Sequence, residues 1–303
     1  MDVVSDAIAA VRTGRPEANK LRVGARWCVR LAPYEGAGFH VALTGACWLR
    51  TDAGTALALR PGDAVLLPHG AGHVLADAPT DPARAVPFAA VQGFPPAPTG
   101  PGTVELLCGK YRLDHSRTHP LLAELPDVVH LPHDDPRTPE LRSAISLLSR
   151  EAGAPGPGSC AAVPSLLDLL LVYMIRAWTA QAPAPARWPA ALADPVVTEA
   201  LRLLHSDPAE PWTAERLATR TGVSRATLNR RFALLVGRPP MTYLTWWRMT
   251  RAATLLRTAD APLESVARQV GYGSPYALSH AFLREFGVTP GRYRAGLTAV
   301  ATA

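Results

Sequence analysis

Two stretches near the C-terminal end of the chain carry side chains that can hydrogen-bond to nucleic-acid bases. On a helix, the exposed face of the first would present Arg225, Ala226, Asn229 and Arg230. The exposed face of the second would present Ser274, Tyr276, Ala277, Ser279, His280 and Arg284. In the major groove, arginine pairs with guanine, asparagine pairs with adenine, and alanine contacts the thymine methyl group. These two faces are therefore candidates for contacting DNA bases.

The two faces belong to two copies of one sequence unit. The pattern Gly-x-x-Pro-x-x-Tyr occurs at 237–243 and again at 287–293, and Phe232 recurs as Phe282. Similarity at a fixed period indicates a repeated supersecondary unit. Each copy predicts two short helices joined by a glycine turn, at about 213–235 and 262–286, which describes a helix-turn-helix. A lone polar helix face is usually only solvated, but its repetition favours a binding role.

The charge distribution supports the same region. From Trp212 to Ala303 the chain has thirteen arginines, no lysine and four acidic residues, a net charge of +9. Residues 1–211 carry a net charge of −3, so the +6 of the whole chain is confined to one end. A basic terminal domain is typical of a protein with a polyanionic partner.

Residues 195–296 resemble the DNA-binding domain of the arabinose-regulator (AraC/XylS) family of bacterial transcription factors. The resemblance rests on Leu217-Ala218, Gly222-Val223-Ser224, Arg231-Phe232, Gly271-Tyr272, Phe286-Gly287 and the two Gly-x-x-Pro-x-x-Tyr motifs. It implies seven helices, with a long helix at about 241–258 holding the two helix-turn-helix units. It also implies that two recognition helices enter successive major-groove segments, about one turn apart. Pro275 is compatible with the second recognition helix only in its first turn.

The N-terminal region has a different pattern. From Leu21 to about Phe94, short apolar runs alternate with glycine and proline, which predicts a β-barrel or jelly roll. The predicted strands are Leu21–Leu31, Phe39–Leu43, Cys47–Arg50, Ala56–Leu59, Ala64–Leu67, Val74–Ala76, Ala85–Val91 and Thr103–Leu113. The segment 119–133 is predicted to be irregular. The expected fold class is α+β, a cupin-like barrel with flanking helices followed by an all-α domain.

One motif in this region resembles the second conserved motif of the cupin barrel. It is the G-x5-P-x-G-x2-H pattern from Gly62 to His73, and it implies that His73 points into the barrel. The first cupin motif is incomplete, because only His40 stands near its place. We expect an effector pocket formed by His40, Cys47, Trp48, His69, His73 and Cys108. Four of these, namely His40, His69, His73 and Cys108, are ligand types that suit zinc.

Three signals are compatible with such a barrel. A metal would use the histidines and Cys108, and an oxidant would act on Cys28, Cys47 or Cys108. An organic ligand would occupy an apolar interior lined by residues such as Trp27, Trp48 and Phe88. The alternative is that the cysteines are small buried apolar residues and that the histidines are hydrogen-bonded within the fold.

The predicted organisation has four parts. Residues 1–134 form the sensing domain, 135–182 a helical segment for dimerisation or for packing against the barrel, 183–194 a Pro/Ala-rich linker, and 195–303 the DNA-binding domain. The resemblance implies a homodimer that binds double-stranded DNA and, if it is an activator, RNA polymerase. No signal peptide or membrane span is expected, so we expect a cytoplasmic protein. The alternative is a metal-dependent cupin enzyme fused to a DNA-binding domain, but an intact three-histidine-plus-carboxylate site is missing, so we expect no enzyme.

Overall fold

The structure is a computed structural model that describes residues 2–24, 26–79, 82–88, 100, 102–113, 119–182, 186–258 and 260–301, with the backbone alone for 296–301. The chain divides into two compact units. One unit consists of Val11–Ala182, and the other combines Met1–Ala10 with Pro183–Ala303. We call them the barrel unit and the DNA-binding unit.

Ten strands within the described residues of the barrel unit form two five-stranded sheets. They are β1 (Glu17–Val23), β2 (Cys28–Leu31), β3 (Ala37–Thr44), β4 (Cys47–Thr51), β5 (Ala56–Leu59), β6 (Ala64–Leu67), β7 (His73–Ala76), β8 (Val86–Pro87), β9 (Val104–Tyr111) and β10 (Val129–Leu131). One sheet has the order β1-β9-β3-β6-β10, and the other has the order β5-β4-β7-β2-β8. The expected α+β class with a cupin-like barrel is confirmed.

The barrel interior is filled by the inward-facing residues of both sheets. Alternate residues of a strand point to opposite faces, so Cys47 and Leu49 of β4 lie in the interior while Arg50 is exposed. The interior cluster contains Val23, Trp27, Val29, Ala42, Cys47, Leu49, Leu59, Val65, Leu67, Leu75, Val104, Leu106 and Cys108.

Some of the predicted segments differ from the structure, because pairing with distant strands decides where a strand begins and ends. The run Leu21–Leu31 is not one strand, because β1 and β2 belong to different sheets and Arg26 turns between them with a positive φ of 62°. The segment 119–133 is not irregular, since it contains helix α2 (Pro120–Ala123) and β10. Of the described part of Ala85–Val91 only Val86–Pro87 is strand, and 89–91 lies outside the described residues.

Two helices of the barrel unit pack against each other and against β1. They are α3 (Pro139–Gly153) and α4 (Ser159–Gln181). By length and composition alone α4 could cross a membrane, and it is the only such helix within the described ranges. A core helix of a soluble protein has the same composition, and α4 buries Leu167, Leu170, Leu171, Met174 and Ile175.

The DNA-binding unit is helical. Its helices are α5 (Arg187–Ala193), α6 (Pro195–Ser206), α7 (Ala214–Arg220), α8 (Arg225–Val236), α9 (Pro240–Thr258), α10 (Leu263–Gln269), α11 (Pro275–Phe286) and α12 (Pro290–Ala301). From Pro195 onward the described chain has the seven helices that the resemblance implied. Asp194 begins α6 as an N-cap, because its carboxylate accepts hydrogen bonds from the backbone N–H groups of Val196 and Val197 at 2.9 and 3.0 Å.

The division of the chain differs from the predicted one at two places. The expected linker 183–194 contains α5, whose Trp188 and Ala191 are buried, so its second half is folded. The first ten residues, expected to belong to the sensing domain, are part of the DNA-binding unit. They form most of helix α1 (Val3–Val11), which buries Val3, Asp6, Ala7, Ile8 and Ala10.

Candidate nucleic-acid interface and sensor pocket

The first helix-turn-helix consists of α7 and α8. Gly222 in the turn between them has a φ of +70°, which glycine adopts without strain. Ser224 caps α8 by accepting a hydrogen bond from the Thr227 N–H at 3.2 Å. One side of α8 buries Leu228, Phe232 and Val236. The opposite side exposes Arg225, Ala226 and Arg230 and half-exposes Asn229, as predicted.

The second helix-turn-helix, which consists of α10 and α11, repeats this arrangement. Gly271 occupies the turn with a φ of +76°, and Ser274 caps α11 by accepting from the Ala277 N–H at 3.1 Å. Pro275 lies at the first helical position, where the missing N–H removes no helical hydrogen bond. Leu278, Ala281 and Phe282 are buried. The exposed side carries Tyr276, Ala277, His280 and Arg284.

Several of the predicted base-contacting side chains already have partners within the chain. Arg225 forms an ion pair with Glu215 of α7. Ser274 is committed to the helix cap, and the Ser279 hydroxyl donates to the Pro275 carbonyl at 2.8 Å. The ring of Tyr276, which is 74 % exposed, lies 4.5 Å from that of His280. Arg230 has no ion-pair partner within the described part of the chain.

Helix α9 connects the two helix-turn-helix units and forms part of the core of each. Near its N-terminal end, Tyr243 packs edge-on against Phe232 of α8, with ring centroids 5.6 Å apart. Near its C-terminal end, Ala253 and Leu256 join the cluster that contains Leu278 and Phe282 of α11. The predicted helix 241–258 is confirmed, and it holds both recognition helices through packed side chains.

The barrel interior contains a pair of buried histidines. His40 of β3 and His73 of β7 come from opposite sheets, and their Nε2 atoms are 2.8 Å apart. Burial lowers the pKa of both, for His40 well below the ordinary value with a further contribution from His73, so both imidazoles are neutral at pH 7. The Ala71 carbonyl, 2.8 Å from His73 Nδ1, can only accept, so His73 donates there and accepts from His40 at Nε2.

This tautomer assignment leaves one acceptor unused. In neutral His40 the proton is on Nε2, so Nδ1 carries a lone pair, and it has no hydrogen-bond partner among the described residues. The Trp27 Nε1–H, also in the barrel interior, similarly has no partner in the described structure. Buried polar atoms are normally paired. The interior therefore offers one acceptor and one donor to a molecule of complementary chemistry.

The comparisons with known proteins agree with both halves of this architecture. Residues 2–180 match the cupin family, and residues 217–296 match a helix-turn-helix domain family. AraC-like transcription regulators from Streptomyces antibioticus and Streptomyces lividans are 36% and 37% identical to the chain, each over 97% of the chain and 98% of the relative. The chain belongs to the AraC-like transcription regulators. The RCS-specific transcriptional activator RclR of Escherichia coli is 29% identical over 84% of the chain and 83% of its own length.

The structure assembles only part of the pocket predicted for this AraC-like regulator. His40 and His73 meet, and Cys108 lies opposite His40 in the register of β3 and β9. His69 is turned away, because its Nε2 is 2.8 Å from the Leu125 carbonyl. Trp48 is half-buried on the outer face of β4, since it alternates with the inward Cys47 and Leu49. Both were expected in the pocket, and both expectations are wrong: His69 bonds a residue 56 positions away, and Trp48 follows the alternation of its strand.

The residues do not fit the zinc site that the ligand types suggested. Among the described residues, no three His, Cys, Asp or Glu side chains are grouped to hold a metal ion. Closed zinc sites use four protein ligands and open ones use three, and the pair His40–His73 supplies two. The pair is therefore better described as a hydrogen-bonded unit than as a metal centre.

Burial disfavours the thiolate form of the two interior cysteines. Burial raises the pKa of Cys47 and of Cys108 to about 12, with a smaller contribution from Asp63 for Cys47 and from Cys47 for Cys108. The thiolate is the reactive form, so at neutral pH these residues are weakly nucleophilic. Cys28 is half-buried and Cys160 is exposed.

A buried polar network in the DNA-binding unit of this AraC-like regulator was not predicted from the sequence. Asp6 of α1, His205 of α6 and Tyr243 of α9 are joined by hydrogen bonds of 2.9 and 2.7 Å at His205 Nδ1 and Nε2. The three residues are 199 and 38 positions apart in the chain. No local spacing could have connected them. The sequence feature that could have indicated a buried polar network is the presence of a histidine and an aspartate on apolar helix faces.

Proposed function

We propose that this regulator reads its operator with two recognition helices at once and that the barrel interior binds a small organic effector. The observation that carries the first part is the anchoring of α8 and α11 to one helix, α9. Because α9 contributes to the cores of both helix-turn-helix units, both recognition helices are anchored to one element, and we propose that their exposed faces enter two successive major-groove segments.

The two faces differ in chemistry. On α8, Arg230 and Arg225 suit guanine and Asn229 suits adenine, whereas α11 offers His280 and Arg284 together with the exposed ring of Tyr276. Ser274 and Ser279 use their hydroxyl groups within the helix, and we assign them supporting roles. We therefore expect stricter base selection in the half of the operator contacted by α8.

The direct test replaces Arg230 by alanine. Loss of one bidentate contact to a base costs about 1–3 kcal/mol of discrimination at one operator position. The matched control is Arg231→Ala, which removes the same charge from the next residue, where the guanidinium lies 3.5 Å from Asp194. Competition binding with operator and single-base variants measures the difference. Equal weakening on all sequences in the Arg230 variant would contradict the base contact.

For the effector, the unpaired acceptor of His40 and the unpaired donor of Trp27 support a neutral organic molecule. Such a molecule would give a hydrogen-bond donor to His40 Nδ1 or an acceptor to the Trp27 N–H, within an otherwise apolar interior. The high thiol pKa values argue against an oxidant at Cys47 or Cys108, and the two-ligand geometry argues against zinc. The bound molecule would favour one of two states of the regulator.

The test is mass spectrometry of the full-length chain, combined with metal analysis and thiol counting. A small organic molecule should accompany the wild-type chain, or be selected by it from a ligand library, and be lost from His40→Phe. His69→Phe is the matched control, since His69 faces away from the pair. One zinc per chain, lost in both His40→Ala and His73→Ala, would contradict the proposal.

We also propose that two copies of the chain form a homodimer through α3 and α4. Leu147 and Leu169 are exposed on these helices, and an apolar pair on adjacent helices is suited to contact with a second copy. Leu169→Glu should convert a dimer to a monomer in light scattering, whereas Leu234→Glu, on an equally apolar exposed position of α8, should not. A monomeric wild-type chain would remove this part of the proposal.

Activation is proposed from the relative whose name describes an activator, and it would require contact with RNA polymerase. A reporter gene behind the operator distinguishes activation from repression. A cytoplasmic location follows from the need to reach bacterial DNA. The alternative of a cupin enzyme has no observation in its favour among the described residues, and we propose no catalytic step.

A further inference from the structure

The N-terminal helix α1 is bound to the DNA-binding unit by a buried hydrogen-bond network. His205 has no exposed surface and Asp6 is 5 % exposed. An ionised carboxylate only accepts hydrogen bonds, so the His205 Nδ1–H donates to Asp6 at 2.9 Å. Burial lowers the pKa of His205, partly opposed by Asp6, and the neutral imidazole then accepts from the Tyr243 hydroxyl at 2.7 Å.

The network reaches the first recognition helix. The His205 ring stacks on Trp247 of α9 with centroids 4.1 Å apart, which fixes the orientation of the imidazole. Tyr243, the second partner of His205, packs against Phe232 of α8. The position of Asp6 is thereby connected through three side chains to the core of the first helix-turn-helix.

A second contact joins α1 to the other end of α9. The Arg257 guanidinium donates to the Ala10 carbonyl at 2.8 Å, at the C-terminal end of α1, where a cation is favoured. Arg257 follows Leu256, which belongs to the core shared with Leu278 and Phe282 of α11. Tyr243 and Arg257 are fourteen residues apart, about 21 Å along the axis of α9, whereas Asp6 and Ala10 are four residues apart, about 6 Å along α1. The first connection reaches α9 through His205 of α6, and the second is direct.

We propose that α1 is a splint for α9, and that Asp6 is a positioning residue for simultaneous binding of both recognition helices. A splint that contacts α9 through His205 at one point and through Arg257 at the other fixes α8 relative to α11, which matters only when both must enter the groove together. The buried cluster around Leu278 and Phe282 includes no described residue of α1, and we expect each helix-turn-helix to keep its own fold without the splint. The inference rests on the proposed DNA binding by both recognition helices, and it assigns part of that function to α1 at the N-terminal end of the chain.

The proposal predicts a specific split in DNA affinity. With an operator selected from random duplex DNA by the full-length wild-type chain, Asp6→Ala should bind about tenfold more weakly, because it leaves a buried N–H of His205 without its acceptor. On duplexes with either half of that operator scrambled, Asp6→Ala and wild type should bind equally. Asp6→Asn keeps an acceptor and should recover most of the affinity.

The matched control is Asp2→Asn. It removes the same charge from the same end of the chain, where Asp2 accepts from the Ser5 N–H and hydroxyl, and it leaves the Asp6–His205 bond in place. Arg257→Gln provides an independent variant and should show the same split as Asp6→Ala. Thermal melting of each variant shows that the protein is folded at the assay temperature.

Two outcomes would overturn the splint. Equal losses on full and half operators would mean that Asp6 only stabilises the fold, and an equal loss in Asp2→Asn would mean that charge alone is responsible. Failure of the proposed two-helix binding is distinguishable, since scrambling one half of the operator would then leave wild-type affinity unchanged.

Discussion

At the scale of single residues, the histidines of this regulator have unequal roles despite similar sequence environments. His40 and His205 are both buried on apolar surfaces, but His205 has partners at both ring nitrogens, whereas Nδ1 of His40 has none among the described residues. A fully satisfied imidazole rigidifies its surroundings, and an unsatisfied one is costly unless it binds something. We therefore propose a positioning role for His205 and a binding role for His40.

Acid should destabilise the DNA-binding unit through His205. Desolvation is the main cause that lowers the pKa of His205 below the ordinary value of 6.5. Arg251 adds to this shift, Asp6 and Asp2 oppose it, and Tyr243 contacts the same ring. Below pH 6.5 the unfolded chain binds a proton at this histidine that the folded chain resists, so the free energy of unfolding falls as the pH falls.

Urea unfolding followed by helical circular dichroism between pH 7 and pH 5 measures this effect. His205→Gln keeps hydrogen-bonding capacity but does not titrate, so its unfolding free energy should vary less with pH than that of the wild type. His280→Gln is the control, because His280 is exposed. The same pH dependence in the wild type and His205→Gln would exclude His205 as the source.

At the scale of elements, the two helix-turn-helix units are equivalent in geometry but not in environment. Gly222 and Gly271 occupy equivalent turns with similar positive φ values. A Cβ at Gly222 would meet nothing within 4 Å, whereas one at Gly271 would lie 2.8 Å from the Ala209 carbonyl oxygen. The second turn is thus tightly packed against the loop between α6 and α7, and the first is open to solvent.

This difference predicts unequal effects of the same substitution. Gly222→Ala should cost about 1–2 kcal/mol, the penalty of a left-handed conformation for an L-residue. Gly271→Ala should cost more, since a backbone carbonyl must also move. Unfolding midpoints of the two variants test the order, and equal destabilisation would contradict the close approach at Gly271.

At the scale of the whole molecule, the basic charge of the C-terminal region serves two purposes. Some of its arginines bind the protein's own backbone, as when Arg248 donates to Pro208 and Glu210 carbonyls at 2.7 and 2.9 Å and Arg294 to Ala261 at 2.7 Å. Others, such as Arg230 and Arg284, lie on exposed faces. Arginines that bind backbone carbonyls are less available for phosphate contacts than those on exposed faces.

DNA binding should weaken steeply with salt. For duplex DNA the slope of log affinity against log salt concentration is about −0.9 per phosphate contact, because bound counterions are released. Operator affinity measured between 50 and 200 mM salt gives this slope, and Arg60→Ala, an exposed arginine of the barrel unit, should leave it unchanged. An affinity independent of salt would argue against phosphate contacts.

The sequence by itself determined the repeat, the glycine turns of both helix-turn-helix units and the exposed faces of their second helices. These depend on local spacing, which is set by helix and strand periodicity. The outward direction of Trp48 also follows strand alternation, although it was expected in the pocket. The inward direction of His73 was implied by the resemblance to the cupin motif. Only the tertiary structure decided that His69 leaves the pocket, that His40 retains an unused acceptor, and that α1 joins the DNA-binding unit. Each of these depends on contacts between residues far apart in the chain, and such contacts leave no periodic trace in one sequence.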